Sequence, residues 1–164
     1  MTVTRAQHIR IERTFDAPAE FAFRWCTDYT PGDSAIEKDE YSRRILSRTP
    51  RRVVFQDFGE AGDGHGWFLN QYAVTLRPPY RWHAESVGTF RSWSLDYAVR
   101  PRPDGTCRFT LDGVRRATPL AGRAPSVKEV EANIHRMWGR FGRALARDYR
   151  ASIRPGVRRR RPRA

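Results

Sequence analysis

The chain is poor in cysteine and lysine and has no long apolar run. Two cysteines, Cys26 and Cys107, are too few for a disulfide scaffold or a cysteine-built metal centre. Thiols this sparse fit a reducing compartment, so a cytoplasmic location is expected. No stretch approaches the roughly 20 apolar residues of a membrane-spanning helix, and no transmembrane segment is predicted. Residues 1–10 lack the apolar core and cleavage site of a secretory leader. Lys38 and Lys128 are the only lysines; every other basic residue is arginine. What is present is ordinary for a folded domain. With 164 residues, 39% apolar and 12% aromatic, the chain can build one core, which excludes wholesale disorder.

The net charge of +13 is unevenly placed. Residues 136–164 hold eleven arginines and one acid, Asp148, so the rest of the chain is nearly balanced. This divides the chain into a domain over residues 1–154 and a basic tail over 155–164, which is expected to be disordered.

Hydrophobic spacing sets the elements. Ile9, Ile11 and Phe15 share one face of an opening strand. Asp16 and Pro18 then suit the start of a helix over Ala17–Asp28, with Asp16 as its cap. A short second helix is expected over Ser34–Asp39. Strands are predicted over Tyr41–Arg48, Arg52–Phe58, Trp67–Arg77, Tyr80–Val87, Phe90–Arg100 and Thr106–Ala117. Asp104-Gly105 is a strong hairpin turn between the last two. The final element is a helix from Ser126 to Arg154. Ser126-Val-Lys-Glu129 spells a capping box, and Pro155-Gly156 ends the helix. Val127, Val130, Ile134, Met137, Trp138, Phe141, Leu145 and Tyr149 form its apolar stripe. The fold class is therefore α+β: a curved antiparallel sheet of about seven strands, ordered β-α-α-β6-α, wrapped around a long C-terminal helix.

In this order the chain resembles the helix-grip superfamily, the START and Bet v 1-like proteins also grouped as SRPBCC. The likeness rests on the opening strand running into Phe15-Asp16-Ala17-Pro18-Ala19-Glu20-Phe21, the six-strand run and the terminal helix. The stretch from Tyr80-Arg-Trp82 to Arg100 is similar to the polyketide cyclase/dehydrase-like and coenzyme-Q-binding branches. The resemblance implies an apolar ligand cavity between sheet and helix. It carries no shared catalytic motif, and several members of the family only bind and carry their ligands.

That cavity would be lined by Asn70, Tyr72, Trp82, Trp93, Tyr97 and Phe109 from the inward strand faces, and by Ile134, Trp138 and Phe141 from the helix. Arg91 shares their parity, so it either meets a ligand carboxylate or enolate at the mouth or pairs with Glu85 or Asp96. Tyr72, Asn70 and Tyr97 would orient a hydrophobic small molecule: a polyketide, a quinone or a lipid-like compound. The alternative use is a cyclase/aromatase or dehydratase in the same cavity, with Tyr or Arg polarising a carbonyl. His83 is expected to face solvent, and His65 lies in a glycine-rich loop, Gly59–Gly66, that lacks the Lys-Ser/Thr of a phosphate-binding loop. No metal or organic cofactor is expected. That loop gates the cavity or is merely flexible. Asp148, in the apolar arc of the helix, is expected to take an arginine from a strand. On the helix's opposite side, Arg136, Arg140, Arg143, Arg147, Arg150 and Arg154 make a ladder. With the tail, it would either meet nucleic acid or an anionic membrane or form a plain solvated face.

Overall fold

The computed structural model describes residues 6–62, 64, 66–123 and 125–154. Alternation decides its strands. In β1 (Gln7–Phe15), Ile9, Ile11 and Phe15 are buried while Arg10, Glu12 and Thr14 are exposed. The same rhythm is clear in β3 (Arg52–Glu60) and β5 (Arg81–Gly88) and weaker in β2 (Ser42–Thr49), β4 (Trp67–Arg77), β6 (Arg91–Pro101) and β7 (Cys107–Ala117). They form one open antiparallel sheet in the order β1-β7-β6-β5-β4-β3-β2. From β2 to β7 every strand pairs with its successor, whereas β1 crosses to the far side and pairs with β7. The Asp104-Gly105 turn forms as expected: Gly105 takes φ +80°, and Asp104 accepts from the Thr106 backbone and hydroxyl.

Two short helices fill the connection between β1 and β2. In α1 (Ala19–Cys26), Ala19, Ala22, Phe23 and Cys26 are buried, at helical spacing. The helix starts at Ala19, two residues later than the sequence suggests, with Pro18 in the cap position and no side-chain cap. Asp16 instead accepts a hydrogen bond from Arg150 at 2.9 Å. Thr27 closes α1, its hydroxyl donating to the Phe23 carbonyl at 2.7 Å. The second helix, α2, is a single turn over Asp33–Glu37.

The last helix, α3 (Val127–Ile153), begins at the predicted capping box: the Glu129 amide donates to Ser126 Oγ, and the Ser126 amide donates to Glu129 Oε2 at 2.7 Å. Its 27 residues give a rod of about 40 Å. Val130, Trp138, Phe141 and Leu145 are buried, Ile134, Met137 and Tyr149 are half-buried, and Val127 is exposed. Asp148 takes no strand arginine; it accepts from the Trp25 indole of α1 at 3.0 Å and from neighbouring Arg147. Residues 155–164, the expected tail, lie outside the described residues, as does His65. Among the described residues, no helix is long and apolar enough to cross a membrane.

Candidate functional site

The interior between the sheet and α3 is partly solid and partly hollow. The solid part is a cluster of rings. Phe109 stacks on Phe15 at 4.9 Å between centroids and lies 4.3 Å from Trp138. Trp82 stacks flat on Tyr97 at 5.0 Å. Beside this cluster lies a cavity of about 510 Å3. Its wall includes exposed side chains, among them Arg91, Asp39 and Arg136, so it reaches solvent.

The structure brings Tyr72, Arg91, Trp93, Tyr97, Ile134, Trp138 and Phe141 onto the cavity wall. Three expected residues are placed elsewhere. Trp82 and Phe109, 1% and 0% exposed, belong to the ring cluster beneath the wall. Asn70 folds over Gly88, where an added Cβ would stand 1.9 Å from its Oδ1, so a side chain there would displace Asn70. Arg91 pairs with neither Glu85 nor Asp96. His83 takes both acids, at 3.5 and 2.9 Å, and is half-buried on the sheet's outer face.

Polar groups that escape simple pattern reading line one side of the cavity. Arg43 of β2 donates two parallel hydrogen bonds to Asp57 of β3, Nε to Oδ1 at 2.7 Å and Nη2 to Oδ2 at 2.8 Å. Its third nitrogen, Nη1, donates to Asp33 of α2. The guanidinium also lies 4.4 Å over the Phe55 ring. Burial opposes its charge, yet the Asp57 carboxylate outweighs that and pushes the Arg43 pKa up. Arg140 of α3 turns inward and caps the carbonyls of Ile36 and Glu37 at 3.2 and 2.6 Å. Thus α2 is tied at its start by Arg43 and at its end by Arg140. Glu37 accepts from the Tyr41 hydroxyl at 2.8 Å, and burial raises its carboxyl to about 7.

The arginine ladder is consequently broken. Arg140 is engaged with α2, Arg150 with Asp16 and Arg136 with Asn133 Oδ1, and Arg136 also lines the cavity. The ladder is interrupted at Arg140, which turns inward, while Arg136, Arg143, Arg147, Arg150 and Arg154 remain exposed.

Chemically, the cavity wall offers hydrogen-bond donors more than nucleophiles. Burial raises Tyr72 to about 12 and Tyr97 well above its usual value, so both phenols stay protonated at neutral pH. Cys26 also lines the cavity, but burial pushes its thiol well up and withholds the thiolate. Among the described residues, no cluster of three or more His, Cys, Asp or Glu is arranged to hold a metal ion.

No protein-family model and no curated protein matches the sequence. Solved structures match its fold. The Zhui aromatase/cyclase from a Streptomyces species superposes with a TM-score of 0.70 at 15% identity, covering 93% of this chain and 100% of that one. A START superfamily protein from Mycobacterium smegmatis gives 0.61 at 12% identity, over 89% and 99%. The di-domain ARO/CYC StfQ of the steffimycin biosynthetic pathway gives 0.61 at 12%, over 90% of this chain and 53% of its own. The chain has the helix-grip fold. In helix-grip terms, α3 is the gripped helix and the cavity lies where the sheet arches away from it.

Proposed function

We propose that this helix-grip chain binds a hydrophobic small molecule between its sheet and α3. A polyketide, a quinone or a lipid-like compound fits the lining. The observation that carries the reading is the cavity of about 510 Å3, within the range of sites for organic ligands. Its wall joins Trp93, Tyr97, Trp138 and Phe141 to a charged side built from acids and arginines, so rings supply apolar area while Tyr72 and Tyr97 orient the ligand. Each Å2 of apolar ligand surface buried contributes roughly 25 cal/mol before the costs of association. Native mass spectrometry of freshly purified protein tests this, together with binding of 8-anilinonaphthalene-1-sulfonate. Binding by the wild type that weakens in Trp138→Ala supports the reading; a wild type that binds neither probe nor co-purified ligand overturns it.

A second reading is favoured by one observation: Tyr72, its phenol kept protonated by burial, lines the same cavity as Arg91. A protonated Tyr72 and a guanidinium on one cavity wall would polarise a substrate carbonyl and steady an enolate, as cyclisation or dehydration of a polyketide-like chain requires. The aromatase/cyclase names of two structural neighbours support considering it. Turnover of such a chain, lost in Tyr72→Phe while ligand binding persists, would support catalysis.

A further inference from the structure

The chain buries two guanidinium groups and treats them differently. Arg43, with 5% of its side chain exposed, meets two carboxylates, Asp57 and Asp33. Arg115 on β7 is also buried, and meets none among the described residues. Its single hydrogen bond runs from Nη1 to the neutral Gln7 Oε1, at 2.8 Å. Gln7 is itself fixed by donating to the Pro125 carbonyl at 2.7 Å. The Trp93 ring supports the guanidinium at 5.8 Å. One edge of a five-donor group is thus held and oriented, while the rest meets no acceptor among the described residues.

A second cation stands beside it. Trp93 is directly opposite Arg115 in the β6–β7 register, and Arg91 is two residues before Trp93. Arg91 and Arg115 are therefore diagonal neighbours on the concave face, with Cβ atoms about 7–8 Å apart. Arg91 makes no ion pair among the described residues. Burial, and then the charge of Arg91, hold the Arg115 pKa below its ordinary value. A buried charge without a counter-ion costs stability, and a like charge beside it adds to that cost. Both arginines line the cavity, whereas the acids of its wall gather around α2 and β3.

We propose that Arg91 and Arg115 form an oxyanion clamp in the cavity wall, so the ligand is an amphipathic acid whose head supplies the missing negative charge. The apolar body lies along Trp93, Tyr97 and Trp138. Two guanidiniums on adjacent strands grip a carboxylate or a phosphate monoester alike, since both present paired oxygens to N–H donors. Gln7 is a positioning residue that aims Arg115 and touches no ligand. This inference rests on the binding reading above and specifies the head group that reading leaves open.

The test uses three probes with one pyrene body: 1-pyrenebutanoic acid, 4-(1-pyrenyl)butyl phosphate and 1-pyrenebutanol. Fluorescence titration of the full chain should show at least one acid binding about tenfold tighter than the alcohol. The tighter acid identifies the head as carboxylate or phosphate. Arg91→Gln, at an exposed site and checked for folding by circular dichroism, should abolish most of that advantage and leave the alcohol within about twofold. Arg115→Gln should do the same, with circular dichroism confirming that it is folded. Alcohol and acids binding equally well to the wild type would overturn the clamp and spare the cavity. Binding of none of the three would overturn both.

Discussion

Arg43 and Asp57 face each other across β2 and β3 as a fork on a fork, two parallel hydrogen bonds of 2.7 and 2.8 Å with 5% and 7% of the side chains exposed. The pair is buried under α2 at the edge of the cavity. Removing one partner strands the other's charge. Arg43→Met is expected to cost about 3–5 kcal/mol in urea denaturation, and the double variant Arg43→Met/Asp57→Leu less than the two single changes added together. Strict additivity would show that the pair is not coupled.

Glu37 links stability to pH. Burial raises its folded carboxyl from 4.5 to about 7, against the pull of the Tyr41 hydrogen bond and Arg43 and with the push of Asp57 and Asp33. In the unfolded chain it ionises first, so the folded state holds its proton longer. Glu37 therefore costs nothing in acid, and its penalty grows as pH rises from the ordinary value to the folded one. The melting temperature of wild type relative to Glu37→Gln should fall between about pH 5 and about pH 8. A difference that is flat across that window would count against the shift.

Trp138 carries a buried indole N–H with no hydrogen-bond partner among the described residues. Trp138→Phe removes that orphan donor and keeps most of the ring, so the two changes partly offset. Trp138→Ala deletes the contacts with Phe109 and Phe141 and should cost about 3–5 kcal/mol. Chemical denaturation of both variants checks the order; equal losses would show that a ring retained at this position contributes nothing.

Cys26 and Cys107 are both buried, and burial raises both thiols, Cys107 to about 11. Native protein should resist iodoacetamide at mildly alkaline pH, while urea-unfolded protein should be alkylated at both positions. Rapid labelling of the native chain at Cys26 would mean that the cavity admits solvent to it.

Sequence spacing anticipates what is decided within a few residues. The Ser126–Glu129 box, the Asp104-Gly105 turn and the alternation of Ile9, Ile11 and Phe15 each act over two to seven positions. Parity also places Trp82 and Phe109 on the concave face correctly. It does not say how deep along a strand a side chain lies, so these rings fall in the solid cluster and not on the cavity wall. The Arg43–Asp57 pair joins residues 14 apart and escapes local reading. A signal for it was nonetheless present: Asp57 continues the inward parity of Val53 and Phe55, and Arg115 that of Phe109 and Leu111. A charge on a buried parity needs a partner, whether from the protein or from a ligand. Asp148 eluded spacing for another reason: its partners are the Trp25 indole, which is not a charge, and Arg147, its own chain neighbour and not a strand arginine.

The placement of β1 also orders events during synthesis. Strands β2 to β7 can zip together as each leaves the ribosome, because each pairs with its predecessor. Gln7 must wait for Arg115, 108 residues later, before its strand has a neighbour. At ordinary translation speeds that delay is on the order of ten seconds. Ile9, Ile11 and Phe15 therefore sit on the strand whose pairing is the most delayed in the sheet.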